Sequence, residues 1–246
     1  MKQNVFMTLV LIVAFAISYF IYTYLLPDYI KAGGPLVILL LTLSIMVITF
    51  IFERIFTLTK AQGRGSVGNF LKAVKAEMLQ GDIDGAIARC DKQRGSAANV
   101  LRAGLEKYKA IQSEGRVVEP KQAMEDVQAS IQDSMMLEVP LLERNLVVLS
   151  TIGSISVLVG LLGTTLGMIR AFRALAKAGA PDAIALSLGI SEALINTAGG
   201  LITAIMAIVA YNYFFTRIDS FTYSIDEASF MMIKSLAPAK QQGIDL

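Results

Sequence analysis

The chain has no histidine, and among its 246 residues Cys90 is the single cysteine. The first absence removes the commonest metal ligand and the commonest general base together. The second excludes an internal disulfide and fits a reducing compartment for the region around Cys90. The formal net charge is only +2. No basic stripe or aromatic stacking platform points to nucleic acid. Internal repeats and low-complexity tracts are missing as well. No aspartate lies deep in an apolar segment, and no Ser/His pair, metal-ligand cluster or paired-aspartate motif occurs there. An enzyme is therefore not expected, and no cofactor or metal is called for.

Apolar residues are what the chain has in excess. They make up 54% of it, and the mean hydropathy is +0.59. A soluble domain of this length buries a core without being this apolar. Four segments, about residues 5–26, 35–52, 146–169 and 193–215, approach the roughly 20 residues that a helix needs to cross a bilayer. From Leu146 to Met168 there is no charged residue. The expected fold is all-α, a polytopic membrane protein with long helices extending from the bilayer into the cytoplasm. Segment 5–26 is too long for a signal-peptide core, and the bulky "YLLPDYIKAGG" after it offers no small-x-small cleavage site. It reads as a retained membrane helix, with an amphipathic periplasmic helix as the alternative.

The chain divides into an N-terminal membrane helix with a short outer connection (1–34), a membrane helix (35–56), a cytoplasmic helical region (57–145), a helical hairpin in the membrane (146–216) and a cytoplasmic tail (217–246). From Lys60 to Arg144 the charge is nearly balanced, with thirteen Lys/Arg and twelve Asp/Glu. Orientation follows Lys and Arg near the membrane ends. Arg54, Lys60, Arg64 and Arg144, with Arg217, Lys234 and Lys240, place both polar regions in the cytoplasm. The loop near 177–182 then lies outside. Phe70, Leu71, Val74 and Met78 recur at helical spacing, Gly81 marks a helix end, and Asp82 and Ser96 suit N-caps. After Pro120 the next breaking signal besides Pro140 is Gly179. One helix over that stretch would measure roughly 87 Å at 1.5 Å per residue, with a kink near Pro140. The last helix is expected from about Pro181 through Tyr213, followed by a polar tail.

Two stripes of small residues lie inside the hairpin. Gly160, Thr164, Gly167 and Ala171 share one helix face, and Gly163 with Gly167 makes a GxxxG pair. Gly189, Ala193, Thr197, Gly200 and Ala204 form the second stripe. In lipid, helices associate through close packing of small residues and interhelical hydrogen bonds, so these stripes predict two helices packed closely against each other or against copies of themselves. Glu192 is an ionisable group within an apolar span, which is costly unless paired or turned towards a bundle interior. It lies about ten residues after the expected turn, and Arg170 lies about ten before it. Antiparallel helices would bring them to one depth and predict an Arg170–Glu192 ion pair. A pair that only locks the hairpin and a pair with a role in an ion path remain equally open. So does a bland packing role for the glycines.

The stretches "GGPLVILLLTLSIMVITFIFERI", "LVGLLGTTLGMIRAF" and "GISEALINTAGGLITAIMAIVAYNYF" resemble the MotA/TolQ/ExbB proton-channel family over roughly 35–220, and the ExbB/TolQ branch most. The resemblance implies a homopentamer in the bacterial inner membrane, around two copies of a single-span partner of the ExbD/TolR/MotB type. Proton flow would protonate an aspartate on that partner, and the motor would work on periplasmic or outer-membrane components such as a TonB- or TolA-like protein. By motif position, Thr164 and Thr197 would face the partner in the ion path, and Glu192, which matches the glutamate of "EAL", is a third candidate on that path; the carboxylate the path needs would come from Glu192 or from a partner helix. Thr165 would bond back to its own helix. Two departures stand out: the additional segment 5–26, and Arg170, a basic residue towards the outer side. A flagellar or gliding stator and a non-conducting scaffold are the alternatives.

Overall fold

The computed structural model describes residues 2–113, 119–176 and 182–236. Among them there are helices and no strands, as the composition implies. The chain forms two compact units. One comprises the residues up to Arg54 and Asn145–Phe214; the other comprises Ile55–Arg144 and the chain from Phe215 onwards. The expected turn at 177–182 falls almost wholly outside the described residues.

The first unit begins with α1 (Lys2–Phe20), which continues as a short π-helical segment, Ile21–Leu25. Val10, Ala14 and Ser18 are its buried residues, four apart on one face. Ser18 donates to the carbonyl of Ala14 at 2.7 Å, so its hydroxyl is satisfied within the helix. The single-turn helix α2 (Asp28–Lys31) and a glycine turn lead into α3 (Leu36–Gln62). Gly34 takes φ +73°, a conformation that side chains with a Cβ rarely adopt. The hairpin follows as α8 (Leu146–Leu175) and the start of α9 (Ala183–Leu236). Asp182 caps α9 by accepting from the backbone of Ala185 at 2.9 Å. Among the described residues, four helices are long and apolar enough to span a membrane.

The second unit holds α4 (Val67–Leu79), α5 (Ile83–Gln93), α6 (Ser96–Ser113), α7 (Pro120–Glu143) and the last part of α9. Phe70, Val74 and Met78 of α4 are buried, while Leu71 packs at the margin. Gly81 follows the end of α4 at φ +77°. Asp82 caps α5, its carboxylate accepting from Gly85 at 2.8 Å. Ser96 is the first residue of α6, and the carbonyl of Gly95 before it accepts the first helical bond, from Asn99. Gly104 lets neighbours approach α6 closely: a methyl group there would lie 2.7 Å from Ile131 of α7 and would also strike Met232 of α9.

Two expectations about helix ends are corrected. The stretch after Pro120 is not one helix kinked at Pro140. Pro140 sits inside α7, and the break falls four residues later, where Arg144 is extended and Asn145 is left-handed at φ +66°. Proline removes a hydrogen-bond donor and weakens its own turn; asparagine tolerates the left-handed region, where the chain turns into α8. Nor does α9 end near Tyr213. It runs to Leu236, because 217–236 carries a seam. Ile218, Thr222, Ile225, Ser229, Met232 and Leu236 alternate four and three apart, the spacing of helices that pack side by side. Ile225 and Met232 are almost wholly buried in the core of the second unit.

This core makes two predictions. Ile225→Ala should cost about 3 kcal/mol in thermal or denaturant unfolding. Ser229→Ala should be neutral or stabilising, since the buried Ser229 hydroxyl has no hydrogen-bond partner. Cys90 is buried on α5, and burial, aided by Asp91, pushes its thiol up to about 12 from an ordinary 9.0. A folded pKa above the unfolded one contributes stability at pH values below 9, and that contribution fades between pH 9 and 12. The native thiol should therefore resist Ellman's reagent at pH 8 and react once the chain is unfolded.

Candidate functional site

The hairpin is built on backbone contact. Where α8 and α9 meet, paired positions sum to about 360, the signature of an antiparallel register: Gly160 faces Gly200, Gly163 faces Asn196, Gly167 faces Ala193, and Ala171 faces Gly189. A methyl group on Gly167 would lie 2.7 Å from the carbonyl oxygen of Gly189, and one on Gly200 would lie 2.6 Å from that of Ser156. One on Gly189 would lie 2.7 Å from the amide nitrogen of Ala171. No side chain fits at these points. Gly160 has slightly more room, 3.3 Å to the carbonyl of Asn196. The stripes predicted from spacing thus meet each other within one chain, and Gly163 makes room for the asparagine side chain of α9.

Helix α3 lies along the other side of α9. Gly33 approaches Ile195, Gly34 approaches Glu192, and Leu40 approaches Gly199, so α3 and α9 run parallel. Further along the same seam, Ser44 and Thr203 are joined at 2.6 Å, and Thr203 donates to the carbonyl of Gly199 at 2.9 Å. The Ser44 hydroxyl is therefore the donor of the first bond.

Arg170 and Glu192 form the ion pair that their equal depth predicts. The partners are unequally placed. The Glu192 side chain is 9% exposed and that of Arg170 is 52% exposed. Gly34 lies against the pair: a methyl group there would stand 2.9 Å from Glu192 Oε1. One turn on, Asn196 is completely buried and donates through Nδ2 to the carbonyls of Gly33 at 2.8 Å and Glu192 at 3.0 Å. Its Oδ1 has no partner. Asn196 falls within the apolar segment 193–215, and from sequence alone it was given no role. Its position four residues after Glu192, on the same face, was the available signal. The Ser44–Thr203 bond had none, since it joins residues 159 apart.

Thr164 and Thr197 sit at the edges of the α8–α9 seam, both half-buried. Thr164 donates to the carbonyl of Leu161 at 2.6 Å. Thr197 reaches the carbonyls of Ala193 at 3.2 Å and Gly160 at 3.4 Å. Thr165 is exposed and donates to Leu162 at 2.8 Å. Back-bonding is common for threonine in membrane helices. Its consequence here is chemical: with the hydroxyl hydrogens of Thr164 and Thr197 committed, what each oxygen offers outward is lone pairs. Such groups accept from a donor, for example a protonated carboxyl or a water, and carry no proton of their own at ordinary pH. No group of acidic or cysteine side chains suited to a metal occurs among the described residues.

Comparison with known proteins accords with this architecture. The family model described as the MotA/TolQ/ExbB proton channel family matches residues 92–227, from α5 into the seam of α9. The Tol-Pal system protein TolQ of Pseudomonas aeruginosa is 34% identical over 163 residues, covering 61% of this chain and 69% of that protein. A putative biopolymer transport protein, ExbB-like 3, of Synechocystis is 31% identical over 187 residues, covering 74% and 81%. The biopolymer transport protein ExbB of Pseudomonas putida is 42% identical over a shorter stretch of 82 residues, covering 33% and 25%. With four helices able to span a bilayer, the chain is a multi-pass membrane protein.

The hairpin geometry predicts an ordered series. Gly167→Ala and Gly189→Ala should lower the thermal unfolding midpoint in detergent more than Gly160→Ala does, because they push backbone against backbone. For the ion pair, Arg170→Ala should cost more than Glu192→Gln, by roughly 2 kcal/mol. The first strands a buried carboxylate, while the second leaves a half-exposed guanidinium that water can solvate. Unfolding of both variants measured side by side checks the order.

Proposed function

The chain belongs to the MotA/TolQ/ExbB proton channel family, and we propose that it is an ExbB/TolQ-like subunit of a motor driven by the proton-motive force in the bacterial inner membrane. In this reading five copies surround two copies of a single-span partner of the ExbD/TolR/MotB type. Proton movement through the assembly is turned into work on periplasmic or outer-membrane components, such as a TonB- or TolA-like protein. Both polar regions face the cytoplasm, as the Lys and Arg near the span ends indicate.

The observation that carries the proposal is the state of the polar groups in the hairpin. Glu192, the carboxylate in its spans, is buried and tied to Arg170. Thr164 and Thr197 have their hydrogens committed to backbone carbonyls. The spans thus supply acceptor oxygens, and a titrating group that cycles between charged and neutral has to come from elsewhere. A carboxyl on a partner helix meets that need: protonated, it donates to a threonine oxygen; ionised, it requires water. The role proposed for Thr164 and Thr197 is to receive the neutral form, with Glu192 paired to Arg170 at the outer end of the same helix pair. The chain acts as a channel wall rather than as an enzyme.

Thr164→Val and Thr197→Val preserve side-chain shape and remove the oxygen. In proteoliposomes containing the chain and a single-span protein of the ExbD/TolR type, each variant should reduce proton flux at least tenfold, as expected when a hydrogen bond to the moving group is lost. Native mass spectrometry should show the same assembly as the wild type, five copies with two of the partner. Unchanged flux in both variants would make the chain a scaffold and overturn the proposal.

A further inference from the structure

The sequence contains the tripeptide Arg-Gly-Ser twice, at 64–66 and at 94–96. Each copy links two helices of the second unit, the first between α3 and α4 and the second between α5 and α6. The structure locks these turns together by their backbones. The amide of Arg64 donates to the carbonyl of Gln93 at 2.8 Å, and the Gln93 side chain donates to the carbonyl of Gln62 at 2.9 Å. Gly63, at φ +75°, has no room for a methyl group against Gln93, and Gly95 has none against Ala61, whose carbonyl would be 2.6 Å away. The clasp leaves four exposed cations at one corner: Arg64, Arg89, Lys92 and Arg94. Arg64, Arg89 and Lys92 line two adjoining recesses of about 480 and 500 Å³, and Arg94 lines the first of them.

Charge at the corner is not balanced from within. Glu77 is spent on Arg89 at 2.7 Å, and Asp91 on Arg102 at 2.7 Å. Arg64, Lys92 and Arg94 have no carboxylate partner among the described residues, and neither α4 nor α6 has an acidic residue in its first turn. Arg94 is moreover held in the left-handed region, at φ +53°, where arginine is strained and glycine or asparagine would not be. A stability argument gives no reason to gather three unpaired cations there. A multivalent anion does. Two guanidinium groups and an ammonium match the oxygens of a phosphate, which arginine grips in a planar fork.

We propose that this double Arg-Gly-Ser corner binds the phosphate headgroup of an anionic phospholipid. The lipid, rather than a soluble phosphate, is favoured by chain position. Arg64 comes ten residues after Arg54, at the end of a membrane-spanning helix, on the side where the orientation proposed above places the anionic inner leaflet. An acidic segment of another protein would need its carboxylates set to the same spacing, and nothing in the structure supplies one.

The test uses the full chain in neutral detergent, titrated with phosphatidylglycerol and with phosphatidylcholine and read by native mass spectrometry. The variants are Arg64→Gln/Arg94→Asn and Lys92→Gln; a Lys72→Gln/Lys75→Gln control removes two exposed cations on α4 away from the corner. Asparagine at 94 suits the left-handed backbone, and circular dichroism verifies folding. Lys92→Gln, outside the clasp, stands in if the double variant does not fold. The wild type and the control should prefer phosphatidylglycerol, and the double variant should lose that preference by on the order of tenfold, with a smaller loss for Lys92→Gln. The proposal is overturned if the corner variants keep the preference or if the control loses it equally. It is also overturned if inorganic phosphate binds the corner while neither lipid is preferred. None of these readouts depends on proton flux.

Discussion

Two helix backbones in contact, α8 and α9, set most of what the hairpin can do. With glycine at 160, 167, 189 and 200, the axes come close enough for carbonyl oxygens of one helix to meet Cα atoms of the other. In lipid this contact is the substitute for a hydrophobic drive, since the solvent is as apolar as the side chains. The tight seam also fixes rotation. Thr164 and Thr197 are held at its edges, Asn196 is turned into it, and Glu192 is brought against Arg170. A side chain at any of the tightest glycines would change those positions together.

The same helix serves two neighbours. One face of α9 lies antiparallel to α8 through glycine, and another lies parallel to α3 through the Ser44–Thr203 bond and the contact of Gly33 and Gly34 with Ile195 and Glu192. Polar groups at these seams are satisfied in pairs or by their own helix, apart from Asn196 Oδ1. That economy is what lipid demands of a buried polar group. It also explains how an arginine is tolerated in a helix long and apolar enough to span a membrane: its charge is matched by a carboxylate that would be costly alone, and its guanidinium remains half-exposed. The membrane helices thus offer one ion pair and a set of acceptor oxygens.

The second unit obeys different physics. Its core is a hydrophobic cluster of α4–α7 with the seam of α9, and the ion pairs around it, such as Arg89–Glu77 and Lys107–Asp126, are partly exposed and individually weak. At the corner of the two Arg-Gly-Ser turns, Arg64, Lys92 and Arg94 are brought together without a carboxylate partner among the described residues.

Local pattern was enough for much of this molecule. Long uncharged runs mark spans because a helix satisfies its own backbone and needs only apolar side chains to sit in lipid. Small residues at helical spacing mark a close seam, and Gly81 and Asp82 mark a helix end and the next beginning. The pairing of Arg170 with Glu192 was legible because few residues separate their helices in the chain and residue count then equals depth. Tertiary structure decided what residue count cannot express. It determined that α9 continues to Leu236, because the worth of Ile225 and Met232 depends on helices more than a hundred residues earlier. It placed the break at Arg144–Asn145 instead of at Pro140, and it joined Ser44 to Thr203. It also brought two copies of Arg-Gly-Ser, thirty residues apart in the chain, to one corner. A sequence states local propensity and period; which distant groups share a site follows from how finished helices pack.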